Sequence, residues 1–408
     1  MNILVFTSLW PNAEQPNFAV FVKHRVAAMS RLEGVNIRVV APVPYFPEKI
    51  QLPILDRFWP GHWRKMARIP RCELIAGIET FHPRHLVTPK IGMTFYGRWM
   101  ADGVESLVRR LRDEQPVDVI DAHYVYPDGY AATLIGERLK IPVVITARGT
   151  DVNLFSRMPL IRPLVRKALA RADGVIVVSD ALKRRMIELG IEAGKIATIR
   201  NGVDREVFYP RDRMEARRKL GLDPQSRVIV TASALVPLKG IDRLVDAMAL
   251  MRDANSKLYV IGEGTERAAL ETRIARHGLA DRVLLAGSRP QPELAEWYSA
   301  ADLFCLASHR EGCPNVVIEA LACGLPVVAA DVGGVGELVS RPDYGRVVST
   351  PTAENFAIEI EAALETKWNR EEIAKSGCAR SWSEVAEEVM SHYLRRGIIN
   401  QTIESRKE

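Results

Sequence analysis

Short apolar runs alternate with helical stretches along almost the whole chain, and that alternation leaves few folds open. Ile3–Phe6, Ile37–Ala41, Val117–Ile120, Val143–Thr146, Val175–Val178 and Lys195–Ile199 read as strands. Helical patterns lie between them, among them Phe21–Leu32, Met100–Leu111, Ala131–Leu139 and Ile161–Ala170. A strand that is apolar on both faces must be covered on both, so this rhythm predicts a parallel sheet with helices on each side. The rhythm pauses around Asn201–Asp204, and a polar stretch, Pro210–Arg227, marks a domain junction. It restarts with Val228–Ala232, Leu258–Ile261, Val283–Ala286, Leu303–Leu306, Val327–Ala330 and Arg346–Val348. Ser381–Arg396 reads as a closing amphipathic helix. At 408 residues the chain is too long for one ordinary core. The expectation is α/β with two Rossmann-like, doubly wound domains, residues 1–205 and 206–380, and a last helix at 381–397.

Composition narrows the functional classes. Hydrophobic content of 47% with 26% charged residues is that of a soluble globular protein. No apolar run approaches the ~20 residues of a membrane span, and the N-terminus enters a strand at once without a signal peptide, so a cytoplasmic location is expected. Cys72, Cys305, Cys313, Cys323 and Cys378 form no Cys-x-x-Cys pair, which argues against a zinc site or disulfide framework. The net charge of +6 divides into +10 over residues 1–200 and −4 over the remainder, so an anionic partner is expected on the first half. Neither half has a Gly-x-Gly-x-x-Gly turn after its first strand, against a nicotinamide or flavin dehydrogenase.

The densest chemical signal is Glu311-Gly312-Cys313-Pro314-Asn315-Val316-Val317-Ile318-Glu319-Ala320-Leu321-Ala322-Cys323-Gly324-Leu325-Pro326. Pro314 and Asn315 start a short helix there and Gly324 ends it. Glu311 then lies on the loop at the carboxyl end of a strand, where doubly wound sheets bind ligands. The free N–H groups of the helix start suit a phosphate. Glu319, inside the helix, suits ribose hydroxyls, and Glu311 a second polyol. A phosphate between two hydroxyl-rich groups describes a nucleotide sugar.

This segment resembles the Glu-x7-Glu signature of the family 4 retaining glycosyltransferases, down to the Ala-Cys-Gly-x-Pro tail. The resemblance extends over nearly the whole chain and implies the GT-B architecture, two Rossmann-like domains facing each other across a cleft with the last helix crossing back onto the first. It implies donor contacts at Gly312, Asn315, Val316 and Glu319, and a reaction centre holding Lys239 and Glu311. Lys239-Gly240 resembles the end of the family's Gly-Arg-Leu-x-x-x-Lys-Gly element, with Ala234 at the usual arginine position. Gly262 lies in a Gly-x-Gly-x-Glu-like turn, where its role is nucleotide approach or turn formation, and Ser288 lies by resemblance near the nucleobase. No Asp-x-Asp motif occurs, so lysine and helix dipole are expected to neutralise the diphosphate, with no metal and no other cofactor.

In the first half, His123 follows the strand at 117–120 and by resemblance lines the donor sugar. Arg148 replaces the histidine of the family's His-Gly-x-Asp element and is a candidate for an anionic acceptor or the donor diphosphate. Asp151 either bonds acceptor hydroxyls or caps the next helix. Pro16-Asn17-Phe18 resembles a subgroup that builds bacterial cell-surface polysaccharides, which places Asn17 and Phe18 at the acceptor side. Residues 57–71 carry five cations and no acid among aromatics. Trp59, Trp63, Arg64, Lys65 and Arg68 there suit an anionic membrane surface or a solvated loop; single-stranded nucleic acid, the other such partner, has no further support.

The resulting expectation is a metal-independent, retaining glycosyltransferase of hexosyltransferase type. It would move sugar from a nucleotide-diphosphate sugar to a glycan or lipid-linked acceptor, with peripheral contact to the inner membrane and no nucleic acid. The rivals are a nucleotide-sugar 2-epimerase of the same architecture and a catalytically idle nucleotide-sugar-binding scaffold.

Overall fold

The computed structural model describes residues 1–45, 66–88 and 92–398. They divide into two compact units, Met1–Arg200 with the chain from Trp382 onward, and Asn201–Ser381.

In the first unit the strands are β1 (Asn2–Phe6), β2 (Asn36–Val40), β3 (Val43–Tyr45), β4 (Cys72–Ile75), β5 (Ile78–Phe81), β6 (Arg84–Leu86), β7 (Val119–His123), β8 (Val143–Ala147), β9 (Gly174–Val177) and β10 (Ile196–Thr198). The main sheet runs β10-β9-β8-β7-β1-β2-β5-β4, parallel except where β4 returns against β5, and β3 pairs with β6 separately. β7, β8 and β9 are buried along their whole length, as strands covered on both faces must be. β7 begins two residues later than the sequence pattern indicates and runs on through His123, which makes that histidine the last strand residue rather than a loop residue.

Helix Trp382–Arg395 belongs to this unit. It buries Val385, Ala386, Val389, His392 and Tyr393, one stripe at helical spacing, in the core formed by Ile3, Val5, Val26 and Met29. Trp382 stacks on His24 with ring centroids 5.9 Å apart.

The second unit contains β11 (Arg227–Ala232), β12 (Ser256–Ile261), β13 (Val283–Gly287), β14 (Leu303–Leu306), β15 (Val327–Ala330) and β16 (Gly345–Val348). All are parallel, in the order β13-β12-β11-β14-β15-β16, so the winding reverses between β11 and β14. That reversal opens a crevice at the carboxyl ends of those two strands. The polar stretch read as a junction instead contains a helix of this unit, Arg213–Leu220, started by Asp212 accepting the Glu215 N–H and ended at Gly221. Its Ala216 and Arg217 are buried, an anchorage that a composition count does not register.

Helix Asn315–Ala322 follows β14. Gly324 ends it with φ of 72°, and a Cβ there would stand 2.6 Å from the Arg370 carbonyl oxygen, so both the backbone and the space require glycine.

Candidate functional site

The second unit builds its candidate site at the winding reversal. Lys239 leaves β11 on a short 3₁₀ turn, Pro237–Lys239, and Glu311 follows β14. Their side chains meet with Lys239 Nζ 2.7 Å from Glu311 Oε1, the two being 25% and 11% exposed. The backbone joins the same two loops, since His309 N donates to Leu238 O at 2.9 Å. Gly240, with φ of 60°, lets its backbone lie against the Ala307 carbonyl, where a Cβ would fall 2.3 Å from the oxygen. A lysine and a glutamate so held offer a cation to a leaving diphosphate and a carboxylate to sugar hydroxyls.

Sequence reasoning did not single out Arg243. Its Nη1 donates to Ala307 O at 3.0 Å and its Nη2 stands 3.1 Å from His309 Nδ1, which sets a second cation beside Lys239. The available signal was its place in the first turn of the helix Ile241–Leu250, directly after the Lys239-Gly240 turn.

Asn315 is the first residue of its helix, and its Oδ1 accepts from Asn201 Nδ2 at 2.7 Å. Gly312 is buried, its carbonyl accepting from Gly334 N at 2.9 Å, while Val316 is half-buried against the core. Glu319 is half-buried one turn inside. Burial pushes its carboxyl up to about 7, partly offset by a hydrogen bond from Gln291. Gln291 begins the helix before β14 and carried no sequence signal. Gly262 is used by the fold itself: a Cβ there would stand 1.8 Å from the Ser233 carbonyl oxygen, so its role is backbone approach between the exits of β11 and β12. Ser288 is exposed just past β13.

The first unit gathers a different set. His123 is fully enclosed, with Nε2 3.4 Å from Asp121 Oδ2 and Nδ1 2.5 Å from Arg148 Nη2. Burial lowers the imidazole to about 4, Asp121 opposing and Arg148 adding to the shift. A neutral ring that accepts from Arg148 at Nδ1 carries its proton on Nε2, toward Asp121. Burial alone would raise the Asp121 carboxyl, but Arg25 and His123 hold it well below the usual carboxylate range. Arg25 pairs with it at 3.2 Å and donates to Thr146 Oγ1 at 2.8 Å, all inside the core. His123 is thus a buried strut under Arg148 rather than a residue on an open surface, because β7 extends through it.

Arg148 remains partly exposed and lies over the Phe21 ring at 5.3 Å. Asp151, weighed as an acceptor contact or a cap, is buried and accepts from the N–H groups of Val125, Arg148, Gly149 and Val152. Its oxygens are spent on fixing the loop that presents Arg148. Asp128, also unflagged in sequence, does the same for the loop after β1, accepting from Ser8 N and Ser8 Oγ, and burial pushes it up to about 7. Asn17 and Phe18 are exposed on that loop, Phe18 at 40%. Of the basic aromatic stretch, Arg68 is exposed, whereas Trp59, Trp63, Arg64 and Lys65 lie outside the described residues. No helix among the described residues is long and apolar enough to cross a membrane.

Comparison with known proteins agrees with this layout. Residues 20–207 match the model of Glycosyltransferase Family 4, and residues 212–380 that of Glycosyl transferases group 1. A Bacillus subtilis (strain 168) glycosyltransferase assigned to teichuronic acid biosynthesis, TuaC, is 30% identical over 380 residues, 92% of this chain and 91% of its own. The N-acetyl-alpha-D-glucosaminyl L-malate synthase of Bacillus anthracis is 28% identical over 71% of this chain and 76% of its own. Among solved structures, sucrose-phosphate synthase from Thermosynechococcus elongatus superposes with a TM-score of 0.76 at 20% identity, covering 96% of this chain and 98% of that one. Anabaena HepE in complex with UDP gives 0.72 at 20% identity, covering 96% and 99%. The fold is GT-B, and the chain belongs to the family 4 glycosyltransferases.

Proposed function

We propose that the protein transfers a sugar, with retention of anomeric configuration, from a nucleotide-diphosphate sugar to a glycan or lipid-linked acceptor in cell-surface polysaccharide synthesis. The observation that carries this reading is the Lys239–Glu311 pair at the winding reversal, beside the start of helix Asn315–Ala322. The resemblance to TuaC supports the polysaccharide context, and the UDP complex of HepE supports a nucleotide donor.

In this reading the acceptor hydroxyl attacks the anomeric carbon from the face that the diphosphate leaves. The new C–O bond forms as the old one breaks, and a diphosphate oxygen takes the hydroxyl proton. Lys239, with the free N–H groups at Asn315, stabilises the departing negative charge. Glu311 orients the sugar and Glu319 the ribose. Arg148, held by His123, faces the anionic acceptor. The cations supply the neutralisation that a divalent metal supplies in other transferases. The Trp59–Arg68 stretch would bring the enzyme to an anionic membrane carrying a lipid-linked acceptor.

The test is product analysis with a panel of nucleotide sugars, with and without lipid-linked acceptor and with EDTA present. A new glycosidic bond of the donor's anomeric configuration, formed in EDTA, supports the reading. An isomeric nucleotide sugar formed from donor alone identifies an epimerase instead. Nucleotide binding without any conversion across the panel indicates a scaffold.

A further inference from the structure

The second unit has a cavity at the opposite pole of its sheet from Lys239 and Glu311. Arg227 opens β11, Asp302 immediately precedes β14 and Pro326 immediately precedes β15, and all three line it. These strands are parallel and four to six residues long. At ~3.3 Å per residue their two ends are roughly 13–20 Å apart. The cavity therefore cannot share a ligand phosphate with the donor site.

Its walls are unusually cationic. Arg213, Arg217, Arg227 and Arg370 line a volume of about 340 Å³ together with a single carboxylate, Asp302. Arg213 and Arg217 both take that carboxylate, at 2.5 and 2.6 Å, and the Val228 N–H takes it as well, at 2.8 Å. Arg227 is neutralised elsewhere, by Glu365 at 2.6 Å and Asp253 at 3.5 Å. Arg370 pairs with no carboxylate among the described residues; its Nε and Nη1 donate to the carbonyls of Gly324 and Ala301. Three guanidinium groups thus share one carboxylate in a partly enclosed space. Burial, with Arg213 close by, pulls Arg370 down to about 10.

A purely structural role accounts for Arg217, which ties down the carbonyls of Ala300, Pro224 and Ser226. It does not account for Arg370 Nη2, which donates to nothing among the described residues, while Arg213, 47% exposed, turns its Nε and Nη2 to solvent at the mouth of the cavity. Guanidinium groups present paired donors that match phosphate oxygens, and uncompensated positive charge in a concave site favours such an anion. The volume equals that of roughly ten waters, enough for a diphosphate and part of what carries it.

We propose that this cavity is a second anion site, which binds the phosphate or diphosphate group of a small phosphorylated molecule independently of the donor site.

The test is calorimetric titration of the full chain with inorganic pyrophosphate, comparing wild type, Lys239→Ala, Arg213→Gln and Arg370→Gln. Lys239→Ala should retain binding at this cavity. Arg213→Gln and Arg370→Gln should each weaken that binding about tenfold or more. Pyrophosphate binding that is unchanged in both arginine variants, or that disappears in Lys239→Ala, overturns the proposal. Arg370 also holds two carbonyls, so if Arg370→Gln does not fold, Arg213→Gln, on the half-exposed wall, decides alone.

Discussion

Lys239 and Glu311 are 72 positions apart in the chain, yet their side chains meet at 2.7 Å because β11 and β14 lie side by side where the sheet reverses its winding. The lysine would be a point charge for the diphosphate and the glutamate its orienting neighbour. Removing Lys239 takes away one electrostatic stabiliser, worth ~3 kcal/mol in the barrier. Lys239→Ala should therefore lower turnover on the order of a hundredfold in a saturating-donor assay. A loss below about threefold would place the charge stabilisation elsewhere, with Arg243 the first candidate.

Glu319 gives a pH signature. Its carboxyl is raised to about 7 by burial, above its usual 4.5. The folded protein therefore binds more protons than the unfolded chain between those values, and stability contributed by this group is lost as pH rises through the window. Urea unfolding at pH 5 and pH 7.5 should show wild type losing stability relative to Glu319→Gln over that interval. Parallel pH dependences in the two proteins would show that the carboxyl is not desolvated.

The Arg25–Asp121 pair is a buried ion pair, 2% and 0% exposed. Breaking it from one side strands a charge in the core. Asp121→Asn should destabilise by about 3–5 kcal/mol in equilibrium unfolding. The change should also free His123 from its carboxylate partner and raise the imidazole's mobility by NMR. An effect under ~1 kcal/mol would mean that Arg25 finds solvent.

Gly324→Ala combines a φ of 72° with a Cβ 2.6 Å from the Arg370 carbonyl oxygen. The backbone term alone is about 1 kcal/mol, and the clash adds to it, so a loss of roughly 2 kcal/mol or more is expected by urea unfolding. Gly278→Ala, at φ of 65° with nothing within 4 Å, should show the backbone term alone.

What could be read from the sequence follows the physics of burial. The central strands were legible because a strand covered on both faces is a continuous apolar run. β3, β4, β5 and β6 were not, since β3 and β6 are only three residues long and β4 and β5 are four-residue strands with exposed positions along them. The crevice that holds Lys239, Glu311 and Asn315 was legible as a set of strand exits, each marked by its own local turn chemistry. The surroundings of His123 were not, because Arg25, Arg148 and Tyr393 reach that neighbourhood from three distant parts of the chain. No local pattern encodes such a cluster. Asp151 shows the same limit, since its local N–H partners are those a capping residue takes, whereas the Val125 N–H reaches it from 26 positions away.

Helix Trp382–Arg395 completes the core of the first unit although the whole of Asn201–Ser381 is translated before it. At 5–20 residues per second, the ribosome reaches it on the order of ten to forty seconds after Arg200. By the end of that interval the second unit has all its own residues, while the first still waits with the seat for Val385, Val389 and Tyr393 uncovered. The order of synthesis is thus the reverse of the order in which the units can finish folding. A nascent chain stalled before residue 382 would carry an open apolar face, the kind of surface that chaperones hold.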